Sequence, residues 1–212
     1  MDEIFEKIKK EVAVLLKDNK GSHDFDHTER VYNTAMHLAR VEKADQEIVA
    51  LAALLHDVAR KEQDDSNGKV CHAVRGAEVA KEILNRYDLP ADKIEKICGC
   101  IAKHRFRDNN IPETLEEKII FDADKLDSIG AVGIGRSFLF SGEIGARLHN
   151  KDVNVETTAA YSYEDTAYRE FLVRKTIDEK ILTEEGRRLT EHRFKFMAEF
   201  FEELNAEVSG EK

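Results

Sequence analysis

The segment IVALAALLHDVAR, residues 48–60, constrains the fold of this 212-residue chain more than any other feature. Residues 48–58 are apolar almost all the way round a helix, which predicts a central buried helix with Asp45 as its N-cap. His56 and Asp57 lie side by side in the C-terminal half of that segment. An isolated ionised carboxylate in a protein core is strongly destabilising, so Asp57 needs a partner. A metal ion and an arginine are the two candidates.

Helical spacing of apolar residues recurs along the rest of the chain. The pattern predicts a first helix over 4–15 that stops near 19–21, and a second over 25–41. Further helices are predicted at 72–86, 91–104, 114–126, 128–148, 163–180 and 184–207. Residues 149–162 are the least regular and are interpreted as an exposed loop, and the strand candidate at 153–155 is too short to carry a sheet. With only 2 prolines and 11 glycines, a turn-rich β architecture is disfavoured, and the chain is predicted to be all-α.

Charge and cysteine usage restrict the partners. The 43 acidic residues outnumber the 33 basic ones and give a net charge of -10, which disfavours a polymeric nucleic acid as partner. The strongly apolar run at 48–55 is too short to span a bilayer, and the N-terminal dozen residues lack the apolar region of a signal peptide. Cys71, Cys98 and Cys100 form neither a disulfide framework nor a thiolate zinc pattern. We therefore expect a cytoplasmic protein without a membrane partner.

Histidine and aspartate residues form a series along the chain. In order, its members are His27, His56-Asp57, His72, His104 and Asp124. A lone histidine on an apolar face is more often a satisfied core residue than a ligand. The adjacent pair changes this balance, because residues 56 and 57 point about 100° apart on a helix and can reach one ion from neighbouring directions. Mixed imidazole and carboxylate ligands favour Mn, Mg, Ni, Co or Fe over a thiolate-type zinc site.

Three segments resemble the HD-domain metal-dependent phosphohydrolases. They are HDFDHTERV at 23–31, ALLHDVAR at 53–60 and DADKLDSIGAVGIGR at 122–136, which together reproduce the H…HD…D order of that family. The tail at 169–204 resembles the C-terminal helices of a bacterial and archaeal subgroup of predicted HD-superfamily hydrolases. The resemblance covers the whole chain and is much more specific than the HD dipeptide alone.

The resemblance implies an all-α, single-domain HD helical bundle over 1–212. Within it, 21–130 would form the metal-binding core, and 131–212 a C-terminal helical extension packed on the core. The implied metal ligands are His27, His56, Asp57 and Asp124. Catalytic roles are implied for Asp57, His72, His104 and Arg60, and substrate-binding roles for His23, Arg30, Lys61 and Asp127.

Some of these residues allow more than one interpretation. His72 and His104 fall where dinuclear HD proteins hold a second metal and where mononuclear members line the phosphate pocket. Arg60 stands where the cyclic-di-GMP phosphodiesterases have lysine; arginine can bind phosphate bidentately but cannot act as a general acid. The alternative for Arg30, Arg60 and Lys61 is a solvated charge or an ion pair with a nearby acid such as Glu62.

The implied activity is hydrolysis of a phosphoester or phosphoanhydride bond in a nucleotide or another small phosphorylated molecule, with one or two divalent ions per chain. We favour one ion. The chain lacks the Glu-Asp pair of ppGpp hydrolases and the GYP motif of cyclic-di-GMP phosphodiesterases, and it is shorter than the dNTP triphosphohydrolases. The alternatives are a dinuclear iron oxygenase and a non-catalytic nucleotide-binding regulatory module; a homodimer is also left open.

Overall fold

The structure of the protein, a computed structural model, describes residues 2–17, 24–66, 68–105 and 110–212. These ranges contain α-helices, two short 3-10 helices and no β-strand. The all-α prediction is therefore confirmed. The predicted end of the first helix near 19–21 falls outside the described residues, as does His23.

The helices follow one another along the chain, with the stretch 144–166 between two of those in its second part. In the first part they are α1 (Asp2–Leu15), α2 (Phe25–Glu42), α3 (Gln46–Leu55), α4 (Arg60–Asp65), α5 (His72–Leu84) and α6 (Ala91–Lys103). In the second part they are α7 (Leu115–Leu126), α8 (Gly130–Glu143), α9 (Ala167–Val173) and α10 (Glu184–Ser209), with 3-10 helices at Arg174–Thr176 and Asp178–Lys180.

The chain divides into two compact units. The first comprises Met1–Asp124 with Leu182–Gly186, and the second comprises Lys125–Ile181 with Arg187–Lys212. The expected organisation as a 21–130 core with a 131–212 extension stays a prediction.

Helix α3 forms the centre of the first unit. It packs against α1, α2 and α6, and its residues from Leu51 to Leu55 are at most 2% exposed. Burial of a leucine of this kind contributes about 2 kcal/mol. The helix begins as predicted, because the Asp45 carboxylate accepts hydrogen bonds from the backbone N–H groups of Glu47 and Ile48 at 3.0 and 3.2 Å. The apolar segment therefore does form the predicted buried helix.

The C-terminal end of this helix corrects the prediction. Helix α3 ends at Leu55, and the Val58 N–H donates to the Leu55 carbonyl at 3.3 Å, followed by Arg60 N–H to Asp57 O at 2.9 Å. These bonds span three residues instead of the four of an α-helix, so the backbone tightens into a turn before α4 begins. His56 and Asp57 therefore lie in a buried turn, and the assumption that they project from one continuous helix is wrong.

A buried carboxylate on α7, that of Asp122, forms hydrogen bonds with the segment Leu182–Gly186 of the first unit. Asp122 accepts hydrogen bonds from the backbone N–H groups of Leu182 and Thr183 and from the Thr183 hydroxyl, at 2.7 to 2.9 Å. Asp122 is 0% exposed. The residue that follows two positions later, Asp124, belongs to the candidate site described below.

The second unit has an aromatic core. Phe171 of α9 stacks on Phe201 of α10 with ring centroids 4.9 Å apart, and Phe194 and Tyr168 extend the cluster. Stacked and tilted aromatic pairs of this kind add to the stabilisation from burial.

Helix boundaries in this second unit differ from those predicted. Helix α8 ends at Glu143 instead of 148, because Gly145 adopts a left-handed φ of 71° and the Ala146 N–H donates to Ser141 O at 2.8 Å. This is a glycine-dependent helix stop. The helix predicted over 163–180 is divided into α9 and the two 3-10 helices. The predicted loop at 149–162 contains no regular element, although His149 at its start is buried.

Candidate metal centre

The predicted ligands lie at the ends of several helices in the first unit. His27 is in the first turn of α2, where the Asp24 carboxylate accepts its backbone N–H at 3.0 Å. His72 is the first residue of α5, and His104 directly follows α6. With His56 and Asp57 in the turn after α3, four of these residues are at most 2% exposed, and His72 is 5% exposed.

The first group of candidate ligands comprises His27, His56 and Asp124. Their ligand atoms all lie within 4.8 Å of one another. The Nε2 atoms of the two histidines are 3.4 Å apart, and Asp124 Oδ1 is 3.5 Å from His27 Nε2. Asp57 Oδ2 is 3.8 Å from both histidine Nε2 atoms. The structure thus brings together the four residues predicted to hold the metal.

A second group comprises Asp57, His72 and His104, again with ligand atoms within 4.8 Å of one another. Asp57 Oδ1 is 3.3 Å from His72 Nε2 and 3.9 Å from His104 Nε2, and the two histidine Nε2 atoms are 3.0 Å apart. One carboxylate therefore faces both groups, with Oδ2 toward the first and Oδ1 toward the second.

Hydrogen bonds at the far side of the rings fix where the protons are. His56 Nδ1 lies 2.8 Å from Ala53 O, and His104 Nδ1 lies 2.7 Å from Ile101 O. A carbonyl oxygen only accepts, so both Nδ1 atoms carry the proton and both Nε2 atoms present a lone pair. Nitrogen lone pairs and carboxylate oxygens that converge in a buried space repel one another unless a cation lies between them. The donor set therefore fits a divalent metal ion.

The protonation state of two of these histidines also fits a metal site. Burial lowers the pKa of His72 to about 3, although the nearby Asp57 carboxylate opposes the shift. Burial also lowers the pKa of His104 to about 4, with a smaller contribution from His56 in the same direction. Both imidazoles are therefore neutral at pH 7, the form in which histidine binds metals.

The basic residues of α4 have partners on their own helix. Arg60 Nε lies 3.3 Å from Asp64 Oδ1, and Lys61 Nζ lies 3.2 Å from Asp65 Oδ2. Glu62, the acid considered from sequence, instead pairs with Arg75 at 3.0 Å. The Lys61 side chain is 59% exposed and that of Arg60 only 20%. Their predicted roles on substrate stay predictions.

Two other predicted substrate residues have distinct environments. Arg30 is half-buried on α2. Asp127 belongs to the second unit, is 3% exposed and forms an ion pair with Arg136 at 2.8 Å. The Arg136 guanidinium also donates to the Asp127 carbonyl at 3.3 Å. Arg136 thus has a structural role beside Asp127.

The cysteines are free thiols. Burial raises the pKa of Cys98 to about 11 and raises that of Cys100 further, so both remain protonated at neutral pH. Cys98 and Cys100 therefore behave as small buried side chains, whereas Cys71 is half-buried.

Two residues at the site were missed in the sequence. Gln63 of α4 is 8% exposed, and its Oε1 accepts a hydrogen bond from Arg105 Nη1 at 2.6 Å and lies 2.8 Å from His72 Nδ1. The signal that could have identified Gln63 is its place as the one uncharged residue in RKEQDD. Arg105 directly follows His104, but nothing in its local sequence distinguishes it from a surface arginine.

Comparisons with known proteins show the family and similar folds. Residues 24–129 match the family model of the HD domain. The uncharacterized protein YpgQ of Bacillus subtilis is 30% identical over 210 residues, which cover 97% of this chain and 94% of the relative. A crystal structure of Bacillus subtilis YpgQ in complex with ADP superposes with a TM-score of 0.75 at 27% identity, covering 97% of this chain and 95% of that one.

A further solved structure is similar over nearly the same length. It is a predicted HD superfamily hydrolase from an uncultured Thermotogales bacterium, with a TM-score of 0.70 and 30% identity, covering 96% of this chain and 92% of that one. Separately, none of the described helices is long and apolar enough to cross a membrane.

Proposed function

The chain belongs to the HD domain family, and from this premise we propose that it is a metal-dependent phosphohydrolase acting on a nucleotide or another small phosphorylated molecule. The observation that carries the proposal is the pair of histidine–aspartate groups that meet at the Asp57 carboxylate. The relative solved with ADP supports a nucleotide as the substrate class. The similar protein described as a predicted HD superfamily hydrolase supports hydrolysis as the reaction class.

The metal would be held by His27, His56, Asp57 and Asp124. A bound divalent ion supplies Lewis acidity, lowering the pKa of a coordinated water and polarising a phosphoryl oxygen. The protein holds the ligand atoms in place before binding, since the His56 proton is fixed on Nδ1 by the Ala53 carbonyl.

His72 and His104 would act on the substrate side. Both are neutral at pH 7 and lie next to Asp57, and His104 presents its Nε2 lone pair there, so the pair can take part in proton transfer. Arg60 lies three residues after Asp57, and its guanidinium supplies positive charge for phosphate oxygens. Binding phosphate requires Arg60 to exchange its contact with Asp64, which is a weak interaction at the surface.

The decisive experiment is a substrate screen with the purified full-length protein. Nucleoside mono-, di- and triphosphates and phosphate monoesters are incubated with Mn, Mg, Ni, Co or Fe, and phosphate and pyrophosphate release are scored separately. We expect hydrolysis that a chelator abolishes and that added metal restores. Metal-replete protein that hydrolyses none of these compounds would refute the proposal.

The second candidate function is a dinuclear iron oxygenase. The observation that favours it is the second group, Asp57 with His72 and His104, which offers three further ligand atoms. Iron analysis and EPR spectroscopy of anaerobically purified protein distinguish the two functions. Two irons per chain with a coupled EPR signal, together with no phosphate release, would favour the oxygenase.

A further inference from the structure

We propose that the five residues Leu182–Gly186 form a clamp that ties α7 to α2 and so positions the Asp124 carboxylate next to His27, with Asp122 as the positioning residue on α7. The residues of the clamp and both ligands belong to the first unit. The proposal rests on the metal centre of the proposed function and adds a role for side chains outside the ligand set.

Asp124 is held differently from the other predicted ligands. His56 and Asp57 are neighbours in one turn, and α2, which carries His27, packs directly against α3, which leads into that turn. Asp124 comes instead from α7, and its side chain is 21% exposed, against 0% for His27 and 3% for Asp57. The distance of 3.5 Å between Asp124 Oδ1 and His27 Nε2 therefore depends on where α7 lies relative to α2.

The α7 side of the clamp is held by Asp122. Its fully buried carboxylate accepts hydrogen bonds from the backbone N–H groups of Leu182 and Thr183 at 2.9 and 2.7 Å and from the Thr183 hydroxyl at 2.7 Å. The Thr183 hydroxyl in turn accepts from the Gly186 N–H at 3.1 Å. Successive residues of a helix are about 100° apart, so Asp122 and Asp124 point about 160° apart. The clamp therefore binds one face of α7, and Asp124 projects from the opposite face.

The α2 side of the clamp is held by Glu185. Its backbone N–H donates to Glu42 Oε1 at 2.8 Å, and its own carboxylate lies 2.7 Å from His37 Nε2. Both partners are on α2, and Glu185 is 8% exposed. The clamp therefore makes hydrogen bonds to both of the helices that supply His27 and Asp124.

The expected consequence is a weaker metal site when the clamp is released. A functional site tolerates displacements of its ligands of only about 0.5 Å. Replacing residues that orient metal ligands typically lowers metal affinity by about 10- to 100-fold. The clamp acts on Asp124 through the helix, without contact to its carboxylate, so we expect the lower end of this range.

The test is titration of the metal-free, full-length protein with Mn²⁺, followed by EPR, with folding checked by circular dichroism at the same temperature. In Asp122→Asn and in Thr183→Val, the Kd for Mn²⁺ should rise about tenfold. The EPR spectrum of the bound ion should also differ from that of the parent, because the ligand geometry has changed. Thr183→Ser keeps the hydroxyl and should keep the parent Kd.

The control for a general loss of stability is Asp165→Asn. Asp165 is 1% exposed and also accepts a backbone N–H, that of Tyr161 at 2.7 Å, but it lies in the second unit. This variant should melt at a lower temperature than the parent, as Asp122→Asn does, and keep the parent Kd for Mn²⁺. Reduced stability alone then does not account for weaker metal binding.

A double-mutant cycle tests whether the two sides act as one clamp. Glu42→Ala removes the acceptor of the Glu185 N–H on the α2 side. If both sides act through the same five residues, releasing either side already frees α7. Glu42→Ala combined with Thr183→Val should then raise the Kd about as much as either change alone. Single effects that multiply in the double variant would show that the two sides do not act together, and would contradict the clamp.

Folded Asp122→Asn and Thr183→Val proteins with the parent Kd would overturn the proposal, as would a parent protein that binds no Mn²⁺. If Asp122→Asn does not fold, Thr183→Val and Glu42→Ala decide. None of these measurements depends on turnover. A failed substrate screen would therefore refute the proposed function and leave the clamp standing, whereas clamp variants with an unchanged Kd would refute only the clamp.

Discussion

The buried histidine–aspartate cluster and the exposed face of α4 show two different relations between sequence and site. His27 and His56 are 0% exposed and Asp57 is 2% exposed. Lys61 is largely in water and pairs with Asp65 one turn along its own helix. A buried polar group must find its partner inside the fold, whereas an exposed one can use water or a neighbouring acid. A motif therefore identifies ligands more securely than substrate contacts.

The largest effect should come from Asp57→Ala, which removes the carboxylate shared by both ligand groups. We expect metal content and hydrolysis both to fall to background, as for His56→Ala, while the helical circular dichroism spectrum persists. The variant also lacks the poorly solvated carboxylate that is buried in the metal-free parent, so the metal-free variant should unfold at the same or a higher temperature than the metal-free parent. Metal analysis by mass spectrometry checks the first point and thermal melts the second.

The matched control is Asp165→Asn, since Asp165 is also buried at 1% exposure but pairs with Arg169 in the second unit. It should keep its metal. An Asp57→Ala protein with full metal content and activity would place the site elsewhere.

His72→Ala and His104→Ala should come next, with turnover reduced by about 10² to 10⁴, the usual contribution of a general acid–base residue. If one ion is bound at the first group, these variants keep a stoichiometry near one. Titration with Mn²⁺ followed by EPR measures it. A stoichiometry that falls from two to one would show that the second group also holds a metal.

Arg60→Ala tests whether the α4 face belongs to the site at all. We expect turnover to drop by about 10² to 10³, the usual loss when one preorganised hydrogen-bond donor no longer stabilises the charge that develops in the transition state. Arg60→Lys should recover only part of it, because an ammonium does not make the bidentate contact. Arg75→Ala is the control, and kcat/KM should not change. Unchanged kinetics in Arg60→Ala would mean that Arg60 only pairs with Asp64.

The pH dependence of stability tests the buried histidines in the metal-free protein. The pKa of His72 and of His104 is lowered in the folded state to about 3 and about 4, whereas each is 6.5 in the reference state. The unfolded chain therefore binds more protons between these values, and acid favours unfolding. The stabilising effect is fully present above pH 7 and is lost as the pH falls from 6.5 toward 4 and then 3.

As the pH falls from 6.5 to its folded-state pKa, each histidine lowers the free energy of unfolding by about 1.4 kcal/mol per pH unit. Urea melts between pH 7 and pH 4 measure the slope, and His104→Gln should flatten it. A free energy of unfolding that does not change between pH 7 and pH 5 would contradict the burial argument.

The smallest effect should be that of Lys61→Ala. An exposed ion pair contributes about 0 to 1 kcal/mol, so we expect little change in the melting temperature. If Lys61 has no role on substrate, kcat/KM should stay within about twofold of the parent, well below the tenfold that 1.4 kcal/mol would produce. A larger loss in a steady-state assay would bring Lys61 into the pocket beside Arg60.

Sequence reasoning succeeded where one physical demand dominated. The burial of α3 and its Asp45 cap followed from apolar periodicity, and the need of Asp57 for a partner followed from the cost of a buried charge. The convergence of the histidines and aspartates was implied by the resemblance to the HD-domain family. The end of α3 at Leu55 could not be predicted, because the apolar run continues past it to Val58. Backbone hydrogen bonds that span three residues place His56 and Asp57 in a buried turn instead. The contact between Gln63 and Arg105 joins residues 42 positions apart, which local pattern does not report.

Other misses have the same origin. Asp122 is part of the DADKLD motif, yet its carboxylate accepts hydrogen bonds from Leu182 and Thr183, which lie 60 and 61 residues later in the chain. The predicted helix over 163–180 is interrupted although its residues have helical spacing: α9 covers only Ala167–Val173, and two 3-10 helices follow it.

The shared carboxylate of Asp57 has a thermodynamic consequence. Its two oxygens face different groups, so any cation that binds beside Oδ2 withdraws electron density from the oxygen facing His72 and His104. Whatever occupies one group must therefore change the affinity of the other, and reciprocity requires the same factor in both directions. Substrate that weakens metal binding would itself be bound more weakly by the metal-loaded protein, and substrate that strengthens it would be bound more tightly.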